Sequence, residues 1–221
     1  MTTLDITETT FSELANRARA LATEGARTVL GITGAPGAGK TTLAERLVCE
    51  LGPEIAVLVS MDGYHLANTV LHDLNRHPRK GAWDTFDAHG YVQMIGRIRA
   101  QRDHVSQGTE GTIYAPHFRR DLEEPVGSAV AVRPETPLVI TEGNYLLLDV
   151  EPWAQARRVI DHIWFLAPPE SQRMDQLIRR HERFGRSPEE ARERSRGSDQ
   201  RNAELIVSTA ARADLVVRLV D

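Results

Sequence analysis

The sequence predicts an α/β fold, a parallel sheet with helices on both faces that makes a three-layer sandwich. Three observations predict it. Short, continuous apolar runs recur at residues 28–33, 55–60, 138–141, 162–166 and 215–219, the pattern of strands buried on both faces of a parallel sheet. Helical stretches separate these runs, as right-handed crossover connections require. A glycine-rich loop joins the first run directly to a helix, at Gly34–Thr41 (GAPGAGKT).

The elements follow in order. Thr10 with Glu13 has the spacing of a capping box opening a helix over 11–24, with Gly25 closing it. The first strand spans 28–33. Residues 42–48 place their apolar side chains on one side of a helix, which Gly52-Pro53 stops. Residues 55–60 form the next strand and 91–100 a helix. Residues 101–133 hold many turn formers and little periodicity, so loops with a short hairpin are expected. Strands at 138–141 and 162–166 follow, then helices at 170–184 and 188–212, and the strand 215–219 closes the sheet. There is no internal repeat. At 221 residues the chain is expected to form one domain over 1–221, with a lid segment at about 173–201.

Bulk properties narrow the classes. A net charge of −4 argues against general nucleic-acid binding. No apolar stretch approaches the 18 residues that a membrane span needs. The N-terminus has no basic region followed by an apolar run, so no signal peptide is expected. Cys49 is alone and has no partner within the chain for a disulfide, which fits a reducing cytoplasm.

GAPGAGKT satisfies the phosphate-binding pattern G-x-x-x-x-G-K-[ST] at each fixed position. Gly34, Ala35, Pro36, Gly37, Ala38 and Gly39 form the loop whose backbone N–H groups wrap a phosphate. Lys40 reaches the β/γ-phosphates, the Thr41 hydroxyl ligates Mg²⁺, and Thr42 continues the helix N-terminus that favours negative charge. Lysine usage supports this. Of 27 Lys and Arg only Lys40 and Lys80 are lysine, and a compact ammonium suits a phosphate cradle where a broad guanidinium does not. Lys80 is a second candidate on the same ground, although a chance surface lysine fits it as well.

Ligands of open α/β sheets bind beyond the carboxyl ends of the strands. Asp62 follows one buried strand, expected to neighbour the loop strand, and Glu142 follows another. Lys40, Asp62 and Glu142 are therefore expected to converge on one crevice. One carboxylate there accepts a proton from an attacking hydroxyl and the other holds Mg²⁺ directly or through water. A helix N-cap for Asp62 and a structural carboxylate for Glu142 are the plainer alternatives.

The succession GAPGAGKT, MDGYHL, KGAWDTFD, YAPHF and TEGNYLLLD resembles the phosphoribulokinase and uridine kinase family. It comes nearest to the bacterial nucleoside/nucleotide kinase family proteins known as fructose-transport-system kinases, and pantothenate kinase is more distant. The resemblance runs from about residue 28 to the C-terminus. It implies ATP-dependent phosphorylation of a hydroxyl on a small molecule, with ATP and Mg²⁺ as cofactors. It also implies that Asp62 is the catalytic base and that Glu142 lies near Mg²⁺, roles that are open to exchange. Tyr64, His65, Lys80, Trp83, Asp84, Asp87, Tyr114, His117 and Asn144 are candidates for the acceptor site. Aromatic and polar groups suit a polyhydroxylated acceptor, and each also fits a core, capping or turn role. His72, Asp73 and His77 read as solvated. Where relatives often carry Asp-Arg after this Phe, the chain has Arg119-Arg120, so acceptor identity does not transfer.

Residues 173–201 contain nine Arg and six Asp or Glu. Kinases of this kind close an arginine-bearing lid over the nucleotide to neutralise transition-state charge. Arg173, Arg180, Arg183 and Arg186 are the candidates by position, with Arg183 placed among the catalytic groups. A solvated helix with ion pairs such as Glu189–Arg192 and Glu190–Arg194 is the plainer reading. A nucleotide-dependent switch or regulatory NTPase is the alternative class, but the N-K-x-D motif of guanine recognition is absent. The expected partners are ATP and a small-molecule acceptor, without nucleic acid or membrane. A homodimer is compatible with the sequence, which does not fix an oligomeric state.

Overall fold

The computed structural model describes residues 4–22, 27–101 and 111–220. Eight strands are described: β1 (Thr7–Thr9), β2 (Thr28–Gly34), β3 (Ala56–Leu58), β4 (Ile113–Arg119), β5 (Glu124–Val132), β6 (Leu138–Glu142), β7 (His162–Leu166) and β8 (Leu215–Leu219). The α-helices are α1 (Phe11–Leu21), α2 (Lys40–Leu51), α3 (Asn68–Asp73), α4 (Ala88–Ala100), α5 (Ala156–Val159), α6 (Glu170–Arg183), α7 (Pro188–Arg196) and α8 (Ser198–Val207). Six strands form one sheet in the order β1-β8-β7-β2-β6-β3, and every pairing is parallel.

Side-chain alternation along the strands makes the layers. Leu30, Ile32, Leu138, Ile140, Trp164 and Leu166 face α1 and α2, against Leu14, Ala18, Leu43 and Leu47. Val29, Val139, Ile163 and Phe165 face the other way, against Tyr91, Ile95 and Ile98 of α4 and Ile206 of α8. Removing these side chains from water on both faces is the main force holding the sheet, at roughly 1.5–3 kcal/mol per fully buried large apolar side chain.

The α/β sandwich is as expected, with differences at several elements. The capping box of α1 forms, with Glu13 N donating to Thr10 Oγ1 at 3.3 Å and Thr10 N to Glu13 Oε2 at 2.9 Å. The helix closure expected at Gly25 lies outside the described residues. The strand β1 was not expected, because three residues carry too little periodicity to read. The strand before Asp62 pairs with β6 and not with β2, so Glu142 stands between the loop and Asp62. The region expected to be mostly loop holds a full antiparallel hairpin, β4–β5, whose register shifts between Ala115 and His117. The helix expected over 188–212 breaks at Gly197 into α7 and α8. Neither expected ion pair organises α7. Glu190 instead caps the helix through Ser187, and Arg194 donates to Lys80 O at 3.2 Å.

Candidate active site

The glycine-rich loop leaves the C-terminal end of β2, the inner strand between β6 and β7, and turns into α2. Its path needs glycine. Gly39 sits at φ 91° as the cap before Lys40, and Gly37 sits at φ 85°, where a Cβ would lie 2.5 Å from Arg173 O. Both conformations are costly for residues with side chains. Arg173 fixes the loop from outside. It is buried, donates to Pro36 O at 2.8 Å and Gln200 Oε1 at 2.7 Å, and pairs with Glu170. This corrects its expected place in a lid: Arg173 is an anchor for the loop and lines neither cavity.

Lys40 Nζ is buried and donates to Gly34 O at 2.9 Å and Ala35 O at 3.2 Å. Burial holds its pKa down to about 8, with Glu142 opposing the shift. Glu142, at the end of β6, is also buried. It accepts from Thr41 Oγ1 at 3.2 Å and from Ser60 Oγ at 2.5 Å. Burial first, and then Asp62, raises its pKa above the ordinary carboxylate value. Asp62 is held by Ser60, whose Oγ accepts from Asp62 N at 3.1 Å. Arg120 approaches Asp62 Oδ2 at 3.6 Å, and the Asp62 side chain is 25% exposed.

Two cavities meet at these groups. The first, about 610 Å³, is lined by Gly37 to Leu43, by the outer face of α2 and by Arg179, Arg180 and Arg183 of α6. The second, about 570 Å³, is lined by Asp62, Glu142, His65, Lys80, Asn144 and Arg186 among others. Lys40, Thr41, Arg120, Arg180 and Phe184 line both. The expected convergence of Lys40, Asp62 and Glu142 is therefore present. Thr41, Glu142 and Asp62 offer only oxygen donors. Among the described residues no cluster of three or more His, Cys, Asp or Glu is placed to hold a metal. The oxygen donor set of Thr41, Glu142 and Asp62 is of the kind magnesium takes.

Of the acceptor candidates, His65, Lys80 and Asn144 line the second cavity. His65 Nδ1 lies 2.8 Å from Asp62 O, and burial lowers its pKa. The others do not line it. Tyr64 is buried in the core beside Tyr91. Trp83 is at the surface, its carbonyl accepting from Trp153 Nε1. Asp84 is held by Arg79 and Arg76. Asp87 caps α4 through Gly90 N. Tyr114 and His117 are exposed on β4. Arg186, expected on the nucleotide side, lines only the second cavity, while Arg180 and Arg183 line the first. His77, expected to be solvated, is a wall of the second cavity stacked on His72.

Sequence reasoning missed Ser60, Arg120, His181, Arg194 and Asp199. Ser60 carries a signal, a serine two positions before the carboxylate that it positions. Arg120 carries one too, as the basic residue retained after YAPHF. The other three come from helices whose placement depends on tertiary packing.

The fold and the two cavities define a P-loop kinase. The chain is 31% identical to the "Putative uridine kinase C227.14" of Schizosaccharomyces pombe, over 94% of this chain and 90% of that protein. The crystal structure of a "putative fructose transport system kinase" from Silicibacter sp. TM1040 matches with a TM-score of 0.81 and 30% identity, covering 94% of this chain and 98% of that one. YFH7 from Saccharomyces cerevisiae, described as "a putative P-loop containing kinase with a circular permutation", shares the fold with a TM-score of 0.78 at 18% identity, over 96% and 100% of the two chains. Residues 5–63 also match the family described as "Methylmalonyl Co-A mutase-associated GTPase MeaB", a stretch that includes the phosphate loop. The chain belongs to the uridine-kinase-like family of P-loop kinases.

Proposed function

We propose that this kinase transfers the γ-phosphoryl group of ATP to a hydroxyl of a small molecule. One observation carries the reading: two cavities share Lys40 and Thr41, and Asp62 faces only the second. ATP in the first cavity presents its phosphates to the loop N–H groups and Lys40. An acceptor in the second presents its hydroxyl to Asp62.

The two carboxylates divide the work by environment. Asp62 is partly exposed to the acceptor cavity and takes the hydroxyl proton as general base. Glu142, tied to Thr41 and Ser60, would hold magnesium with Thr41. A magnesium ion held there would supply positive charge against the phosphates. Arg120 and Arg180 line both cavities and stand where they offset charge on the phosphoryl group in transit. Arg183 adds positive charge on the nucleotide side.

Asp62→Asn tests the assignment. Nucleotide affinity should stay within a few fold, while acceptor-dependent ADP release slows by about 10²–10⁴. Collapse of nucleotide binding instead would move the catalytic base to Glu142. A regulatory NTPase would show hydrolysis stimulated by a partner protein and by no small molecule. The GTPase description attached to residues 5–63 covers the phosphate loop, and the chain has no N-K-x-D motif.

A further inference from the structure

We infer that the acceptor carries an anionic group, a carboxylate or a phosphate, bound by Lys80, Arg186 and Arg194, which line the second cavity and not the first. The inference rests on the kinase reading above and names the class of its acceptor.

The cavity's charges divide by position. Lys40, Arg120 and Arg180 line both cavities and belong to the phosphoryl group. Asp62 and Glu142 belong to the proton and the metal. Lys80, Arg186 and Arg194 line the second cavity alone, with Glu123 and Asp199 as the remaining carboxylates. Asp199 is engaged with His181, its Oδ2 lying 2.6 Å from Nε2. Glu123 is exposed; its carbonyl accepts from Lys80 and its carboxylate acts on Lys80 without ion-pair contact.

The hydrogen-bond partners of the three cations include no carboxylate; Glu123 and Glu124 act on Lys80, and Arg186 on Glu190, only at longer range. Lys80 Nζ donates to Asn68 Oδ1 at 2.8 Å and to Glu123 O at 2.6 Å, and lies 5.2 Å from the Phe118 ring centroid. Arg194 donates to Lys80 O. Arg186 Nη1 lies 3.1 Å from His181 Nδ1. Among the described residues none of the three has a carboxylate within 4.0 Å. Three half-buried cations with no carboxylate in ion-pair contact line one cavity, and an anion there would supply charge-assisted hydrogen bonds to them. Lysine usage adds an independent mark, because both lysines of the chain line this cavity. A neutral sugar or nucleoside would leave the cluster unpaired.

Matched acceptor pairs test this: glycerol with glycerate, ribose with ribose 5-phosphate, fructose with fructose 6-phosphate, and uridine with uridine monophosphate. Acceptor-dependent ADP release should be confined to anionic members, and the carboxylate and phosphate arms separate the two sources. Arg186→Gln and Arg194→Gln should raise KM for the active acceptor about tenfold or more while changing kcat less. Binding of a nonhydrolysable ATP analogue in each variant reports an intact fold. Turnover of neutral members at equal or higher kcat/KM would overturn the inference and leave the kinase reading standing. If no pair is turned over, the kinase reading fails, and calorimetric binding of the same molecules decides the anion site. Binding of anionic members that is lost in Lys80→Gln supports it, and absence of such binding overturns it.

Discussion

At the scale of single residues, the site separates groups that look alike in sequence. Lys40 and Lys80 are the two lysines, and one meets the phosphate loop while the other, 40 positions along, lines the second cavity alone. Lys40→Ala should abolish phosphoryl transfer while leaving the fold intact, with the lost donations to Gly34 O and Ala35 O felt at the loop. Near-normal turnover in that variant would remove Lys40 from the mechanism. Glu170 offers a test of the anchor behind the loop. Hydrogen bonds from Arg173 hold its pKa below the usual 4.5. A carboxylate depressed on folding contributes stability above its unfolded pKa, and that contribution is lost as pH falls through the folded value. Glu170→Gln should therefore cost stability near neutral pH, by less than about 1 kcal/mol because the carboxylate is largely exposed. The difference from the parent protein should shrink below about pH 4.5. A gap in chemical denaturation that persists undiminished at pH 3 would mean the pair contributes nothing through its charge.

At the scale of elements, the arginine-rich segment is a set of packed helices, α6, α7 and the start of α8. Arg173 is fixed in the interior, and the segment becomes exposed toward Arg183 and Phe184. Gly185 at φ 89° follows the C-cap of α6, and Gly197 is the C-cap of α7. Arg183 lines the nucleotide cavity from the last turn of α6. The turn of α6 before Gly185 and helix α7 are expected to close over bound nucleotide and to exclude water from transfer. Arg183→Ala should lower acceptor phosphorylation and raise the fraction of ATP lost to hydrolysis, read from the ratio of phosphorylated product to ADP. Amide hydrogen exchange across 179–197 should slow with a nonhydrolysable ATP analogue and Mg²⁺. Unchanged protection would assign closure to another element, with the β4–β5 hairpin the next to test because it carries Arg120 at its turn.

At the scale of the whole molecule, one buried arginine ties three distant segments together. Arg27, just before β2, donates to Ile98 O at 3.1 Å, Thr136 O at 3.0 Å and Pro134 O at 3.1 Å, and also meets Gln101 and Arg133 O. The end of α4 and the approach to β6 are thus joined to the start of the central strand. Removing a buried charged donor strands the acceptors it satisfied. Arg27→Ala should destabilise the protein by about 3 kcal/mol in denaturant unfolding, with little effect on the acceptor KM. A loss below about 0.5 kcal/mol would show that water satisfies those carbonyls as well as the guanidinium does.

How much was legible in the sequence follows from the range of the forces. The bounds of β7 and β8, the capping box at Thr10 and the phosphate loop rest on interactions within a few residues, and the sequence by itself determined them. It also determined that Lys40, Asp62 and Glu142 lie at one sheet edge, because chain direction in a parallel sheet puts all strand ends on the same side. Strand order was decided only by tertiary structure. β3 pairs with β6 because the sheet is arranged by packing of both faces, and nothing near residue 56 records that choice. The same holds for the roles of the arginines. Arg173 and Arg186 sit in one run of similar residues, yet one is buried against Pro36 and the other opens into the second cavity. Charge at a position is local, but burial and the partner it meets depend on every layer that packs around it.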